Sequence, residues 1–125
     1  MRAVLESQTY ELRINVEMLR IAGIDISDLR VVGGVAKSPA WLQIKADVLD
    51  RPVCTLEARE GACLGAAILA GAATGAYKSI DEGVAATVRI KKVFEPSPAL
   101  RDMYRDRFAV YRDLYPTLKN LNGRL

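Results

Sequence analysis

The residues best suited to chemistry lie in one short run, Val31-Val32-Gly33-Gly34-Val35-Ala36-Lys37-Ser38-Pro39. A β-branched segment ends in two glycines, and a helix start follows four residues later. Glycine carries no Cβ, so the backbone there can approach a flat ligand or a phosphate closely. The helix that follows offers unpaired N–H groups and the positive end of its dipole, both favourable to an anion. In open α/β sheets ligands collect at the carboxyl ends of strands, which is where this junction falls. The same residues also make sense without a ligand, as two glycines in a tight turn and Ser38 capping a helix. Spacing alone leaves both readings open.

Two nucleotide signatures fail here. A phosphate loop of the form GxxxxGK[ST] ending at Lys37-Ser38 needs glycine at 31 and 36, where Val31 and Ala36 stand. No G-x-G-x-x-G follows a strand. The chain contains no histidine, which excludes a Ser-His-Asp hydrolase, a Cys-His nucleophile pair and a His-ligated zinc site. Cys54 and Cys63 stand nine positions apart in apolar surroundings. They form no CxxC pair and are too few for a metal site, so two buried, reduced thiols are expected.

The elements that must position this run follow from apolar spacing. Leu5, Thr9, Leu12, Val16 and Leu19 recur in steps of three and four, predicting a helix over 3–22 with Gly23 as its stop. A linker, Ile24-Asp25-Ile26-Ser27-Asp28, leads to a strand over 29–32. Ser38 then caps a helix with Pro39 at its first position, carrying Trp41, Leu42, Ile44, Val48 and Leu49 to Arg51-Pro52. Val53-Cys54-Thr55-Leu56 reads as a second strand, and Glu60 opens an Ala/Gly-rich helix to about residue 75. Ser79-x-x-Glu82 predicts a capped short helix to Val88. Residues 89–94 form an extended segment closed by Glu95-Pro96. Ser97-Pro98 then repeats the cap-and-proline start, and Leu100, Met103, Tyr104, Phe108, Tyr111, Tyr115 and Leu118 mark the last helix. This alternation argues for an α/β fold with a small parallel sheet and flanking helices. Two or three strands look like part of a sheet.

At 125 residues, 50% hydrophobic and 26% charged, the chain has the composition of one soluble globular domain. Residues 61–77 carry no charge and hold Gly61-xxx-Gly65 and Gly71-xxx-Gly75. A membrane span needs about 20 predominantly apolar residues; this run is shorter and mostly Ala and Gly, so a buried, closely packed helix is expected and no membrane partner. Charge arrives by residue 6, too soon for a signal peptide, so a cytoplasmic location is expected. Net charge is +3, with nine basic and four acidic residues after position 88. Asp102, Asp106 and Asp113 interrupt that excess, which predicts a solvated helix face and no nucleic-acid partner.

The string Gly33-Gly34-x-x-x-Ser38-x-x-Trp41-x-Gln43-x-x-Ala46-Asp47 resembles the adenosine-binding segment of FGGY-family carbohydrate kinases, the xylulokinase-like members in particular. Glu60-Gly61-Ala62-Cys63-Leu64-Gly65-Ala66-Ala67-Ile68-Leu69-Ala70 is similar to that family's next helix, and Arg2-Ala3-Val4-Leu5-Glu6 to the start of the helix before the strand. The resemblance implies a partial actin-like, ribonuclease-H-like ATPase domain, with residues 1–125 a single unit: the C-terminal, adenosine-side portion of the second kinase domain. It implies ATP or ADP as partner, with Mg2+ in the full enzyme. Gly33 and Gly34 would lie against the adenosine and α-phosphate and Ser38 near the purine or ribose, while Lys37 faces solvent or touches the nucleotide. Gln43 and Asp47 would be structural, and Trp41 core. Val35 departs from the family's usual glycine or alanine, which would narrow the adenine pocket.

The full enzyme would transfer the γ-phosphate of ATP to a hydroxyl of a pentulose or similar polyol. The family's catalytic aspartate, Asp-Gly-Thr phosphate loop and sugar pocket match nothing here, so this chain is expected to hold no catalytic or metal-ligating residue, to be inactive alone and to meet sugar only with an upstream part. A different expectation is a non-catalytic remnant of the same fold. Half a split domain leaves sheet edges and apolar helix faces uncovered, which a homodimer through the last helix or the Ala-rich helix would bury.

Overall fold

The computed structural model describes residues 1–27, 29–58 and 60–123; Asp28, the last linker residue of the sequence reading, lies outside them. In chain order the elements are α1 (Arg2–Ile21), β1 (Leu29–Val31), a 3-10 turn (Gly34–Lys37), α2 (Pro39–Leu49), β2 (Val53–Leu56), α3 (Gly61–Ala73), α4 (Ile80–Thr87), β3 (Ile90–Phe94), a second 3-10 turn (Pro98–Leu100) and α5 (Arg101–Asn122). Local chemistry sets the boundaries. Gly23, with φ +83°, ends α1 by donating to Arg20 O at 3.0 Å, while Ile24 N reaches Leu19 O at 2.9 Å. This pair of bonds satisfies carbonyls that a helix end would otherwise leave open. Asp50 closes α2 in the left-handed conformation, φ 50°, which aspartate tolerates better than most residues.

The sheet runs β1-β2-β3. β1 and β2 pair in parallel, Leu29 opposite Val53 and Val31 opposite Thr55. The third strand departs from the expected parallel sheet: β3 is antiparallel to β2, with Phe94 opposite Val53 and Lys92 opposite Thr55. The connection explains the reversal. One crossover helix returns a chain to the starting end of a sheet, but α3 and α4 together bring it back to the end it left. Glu57 N accordingly bonds Arg89 O at 3.0 Å, across the top of the two strands.

Helix α2 is the hub. Leu42, Ala46 and Leu49 join Val53, Phe94 and Val16 in one buried cluster beneath the sheet. Ile44 and Val48, on the other side of α2, join Tyr10, Tyr104 and Phe108 from α1 and α5. Between α1 and α5 lies a buried polar knot. The hydroxyl of the fully buried Tyr104 donates to Glu6 Oε1 at 3.0 Å and accepts from Arg2 Nη2 at 2.8 Å. Burial pushes the Glu6 carboxyl up, but the donors from Arg2 and Tyr104 and the charges of Arg2 and Arg107 more than offset it and hold it below its ordinary value. Farther along, Tyr111 donates to Glu11 at 2.7 Å, and this bond with partial burial pushes its phenol up to about 12.

Three expectations change. The Ala/Gly-rich helix is not buried: among the described residues of α3 only Ile68 is enclosed, because α4, the element it packs against most closely, covers a single narrow stripe. Cys63 therefore faces solvent, while Cys54 in β2 is buried. The apolar stripe of α5 enters the core only as far as Tyr111; Tyr115 and Leu118 are exposed, since the described bonds and ion pairs to α1 end at Arg112–Glu17. Ser97 makes no side-chain cap; its N–H bonds Asp47 instead. Among the described residues no helix is long and apolar enough to cross a membrane.

Candidate functional site

The carboxyl ends of β1 and β2 open into a cleft of about 720 Å³. One wall is the loop after β1 with the first turn of α2: Gly33, Gly34, Ala36, Lys37 and Pro39. The opposite side is Thr55, Leu56, Glu57, Ala58 and Glu60, continued by Lys91, Lys92 and Phe94 of β3, with Leu42 also lining the cleft. The sheet register makes this possible, because Lys92 lies opposite Thr55 and Leu56 opposite Ile90.

The two glycines are glycines for different reasons. Gly33 has φ 76° and ψ −153°, a conformation essentially closed to residues with a Cβ. Gly34 is under no such constraint, and a Cβ built there would meet nothing within 4 Å. Nothing inside the chain requires glycine at 34; its effect is to leave the cleft wall as bare backbone. Lys37 is exposed at the end of the 3-10 turn. Ser38 caps α2, its Oγ accepting from Trp41 N at 3.4 Å, with Pro39 at the first helical position. It stands beside the cleft and does not line it.

Gln43 and Asp47 lie away from the cleft, on a different face of α2. The Asp47 side chain is buried, and its Oδ1 accepts from Gln43 Nε2 at 2.9 Å and from Ser97 N at 2.8 Å. Gln43 Nε2 also donates to Glu95 O at 2.9 Å. The pair ties α2 to the segment between β3 and α5, the structural role expected for it. Trp41 is half-buried with its Nε1 enclosed and without a hydrogen-bond partner among the described residues, and Lys45 Nζ sits 5.2 Å from its ring centre. Burial holds the Lys45 ammonium below its ordinary value.

The family model for the C-terminal domain of the FGGY family of carbohydrate kinases matches residues 1–74. The chain belongs to the FGGY family of carbohydrate kinases. Among curated FGGY relatives, a xylulose kinase of Staphylococcus epidermidis is 37% identical over 99% of this chain and 25% of its own length. A xylulose kinase of Bacillus subtilis is 33% identical over 100% and 25%. The crystal structure of xylulose kinase from Rhodospirillum rubrum superposes with a TM-score of 0.83 at 32% identity, covering 96% of this chain and 24% of that one. A Plasmodium falciparum glycerol kinase structure with ADP gives 0.70 at 26%, covering 89% and 23%. The chain thus spans about a quarter of the length of these relatives. Its sheet is the small mixed part of an actin-like ATPase fold.

The far side of the cleft escaped the sequence reading. Thr55 and Glu57 carried no motif, Glu60 stood only in the string similar to the family's next helix, and Lys91 and Lys92 stood in the expected extended segment with no role attached. They belong to β3, as that segment implied, and the Asp-interrupted charges of the expected helix face are those of α5. The signal available in advance was the extended segment 89–94 itself, but its partner strand and direction were not legible.

Proposed function

We propose that the cleft binds the adenosine end of ATP or ADP, and that residues 1–125 form the nucleotide-side wall of an FGGY carbohydrate kinase. The full enzyme moves the γ-phosphoryl group of MgATP to a hydroxyl of a pentulose or similar polyol. The observation that carries this reading is Gly34: it lines the cleft, and a Cβ built there would meet nothing within 4 Å among the described residues. A ligand pressed against bare backbone supplies the missing reason. Gly33 holds the loop in its turn, Lys37 adds charge at the rim, and Ser38 acts by fixing the start of α2, whose first turn faces the nucleotide. The solved relative with ADP supports the same ligand class. Mg2+ enters with the nucleotide: among the described residues no three His, Cys, Asp or Glu side chains are grouped to hold an ion.

Phosphoryl transfer is mostly positioning and charge stabilisation around an in-line acceptor. This wall offers adenosine contacts, and the family's catalytic aspartate and phosphate loop match nothing in the sequence, so sugar phosphorylation is expected to need the upstream part. The test is the thermal midpoint with and without millimolar MgADP. Ligand at 100 times its dissociation constant adds about 2.7 kcal/mol to the folded state, a rise of roughly 10 °C for a domain of this size. Gly34→Val should abolish the rise. No rise in the unmodified chain refutes nucleotide binding.

A second reading is self-association through α5. Val110, Leu114 and Leu118 recur every four residues and are 65%, 47% and 41% exposed, with Tyr115 beside them at 68%. A midpoint that climbs with protein concentration, whatever the nucleotide, supports it.

A further inference from the structure

Where β2 runs into α3, the far wall of the cleft offers a ligand a different chemistry from the glycine loop. Glu57 follows β2 and Glu60 precedes α3; both are exposed and both line the cleft. Glu60 stands at the N-cap position of α3, yet its side chain caps nothing. Its carboxylate has neither a hydrogen bond nor an ion pair among the described residues. The next residue sets where that carboxylate starts from. A Cβ at Gly61 would stand 2.8 Å from Val32 Cγ2 and 3.3 Å from Val32 Cβ. The first turn of α3 therefore closes directly on the residue that precedes Gly33 and Gly34, a contact that any side chain at 61 would push open. The loop after β1 and the start of α3 are built against each other, which holds an unspent acceptor beside the bare backbone of Gly34.

A carboxylate accepts hydrogen bonds and donates none. It repels phosphate, so the phosphate end of a nucleotide stays with the glycine loop and the start of α2, and the end turned toward Glu60 must carry donors. Adenosine has donors in its ribose hydroxyls and in the exocyclic amine of the base. The ribose joins base to phosphate and so stays close to the loop, whereas the amine lies on the part of the base remote from the phosphates. Resting on the reading that the cleft takes an adenine nucleotide, we propose that Glu60 is a specificity-determining residue that accepts a hydrogen bond from the exocyclic amine of adenine, across the cleft from the Gly34 backbone. Such a bond is charge-assisted. A purine without the amine turns a C–H toward the same carboxylate and forfeits it. The β1–α2 loop and the β2–α3 junction thus have separate tasks, close backbone contact for the one and choice of base for the other.

The experiment is calorimetric binding of two probes, ADP and purine riboside 5′-diphosphate, which carries hydrogen in place of the amine, to the unmodified protein and to Glu60→Ala, Glu60→Gln and Glu57→Ala. Because Glu60 caps nothing, its replacement costs α3 no hydrogen bond. The readout is the ratio of the two affinities, so a general weakening of binding in a variant does not imitate the result. One bond to a charged acceptor predicts that the unmodified protein prefers ADP about tenfold. Glu60→Ala should bind the two probes within about twofold of each other, and Glu60→Gln, which keeps a neutral acceptor, should fall between. Glu57→Ala should keep the full preference. If Glu60→Ala or Glu60→Gln discriminates as well as the unmodified protein, or if Glu57→Ala abolishes the preference, the assignment of Glu60 is overturned while nucleotide binding stands. If the unmodified protein binds both probes equally, no residue here reads the amine and the inference again falls alone. If it binds neither, both the inference and the nucleotide reading fall.

Discussion

Replacing Asp47 by alanine removes the acceptor that holds α2 to the segment leading into α5. Two donors converge on its buried Oδ1, Ser97 N at 2.8 Å and Gln43 Nε2 at 2.9 Å. Their losses are unequal. Gln43 keeps a second acceptor, Glu95 O at 2.9 Å, whereas no other acceptor is described for the half-buried Ser97 N–H. A hydrogen bond to a charged group contributes roughly 1.5–3 kcal/mol. Counting the Ser97 bond in full and the Gln43 bond at about half, Asp47→Ala should cost about 3 kcal/mol, lowering the thermal midpoint of a 125-residue domain by roughly 10 °C. Asp47→Asn keeps an acceptor oxygen in place but neutralises it, so it should recover more than half of that loss. Thermal denaturation followed by far-ultraviolet circular dichroism reads both. MgADP affinity, measured at a temperature where each variant is folded, should stay within about twofold, because the carboxylate lies away from the cleft. An Asp47→Ala midpoint within 2 °C or so of the unmodified chain would refute the bond accounting. A folded Asp47→Asn that binds nucleotide tenfold more weakly would refute the structural role itself.

The Glu6 knot predicts an acid limb. Its carboxyl is held below the ordinary 4.5 in the folded chain, so its contribution is fully present above that value and is lost as pH falls through the lower, folded one. Denaturant midpoints taken from neutral pH downward should fall in that window, and Glu6→Gln should be less stable at neutral pH yet lose less on acidification; parallel curves for the two would contradict it. The thiols make a separate test. Cys63 is exposed and Cys54 buried, so a thiol reagent such as 5,5′-dithiobis(2-nitrobenzoate) should modify one equivalent quickly and the second only as the chain unfolds. Equal rates for both would contradict the placement of α3.

Short-range chemistry was legible and long-range pairing was not. Gly23, Ser38-Pro39 and Ser79-x-x-Glu82 announced helix ends correctly because each satisfies its own backbone within a few residues: Ser79 Oγ accepts from Glu82 N at 3.1 Å, and Glu82 reaches back to the N–H of Lys78, one residue before the cap. Ser97-Pro98 looked like the same signal. It failed because a better acceptor, Asp47, arrives from 50 residues away. The direction of β3 was hidden for a related reason, since it depends on two helices acting as one connection. Burial of α3 was overestimated because alanine and glycine are apolar wherever they sit, and only a neighbouring element decides whether they are covered. In the cleft, Gly33 and Gly34 were found from sequence because strand, turn and helix are contiguous there. Lys92 was not, because only the β2–β3 register places it opposite Thr55.

The α3–α4 hairpin has a small centre of its own. A Cβ at Gly83 would stand 2.9 Å from both Ile68 and Tyr77, and one at Gly71 would stand 2.7 Å from the Tyr77 ring. Two glycines thus let two helices close on one aromatic and one aliphatic side chain, apart from the clusters around α2. Such a unit has its own opening equilibrium. Its amide hydrogens should exchange with solvent deuterium sooner and together, while those of α2 and β2 wait for global unfolding. If the cleft binds nucleotide as proposed, opening of the hairpin, which begins directly after Glu60 on the cleft wall, should be slowed by bound ADP.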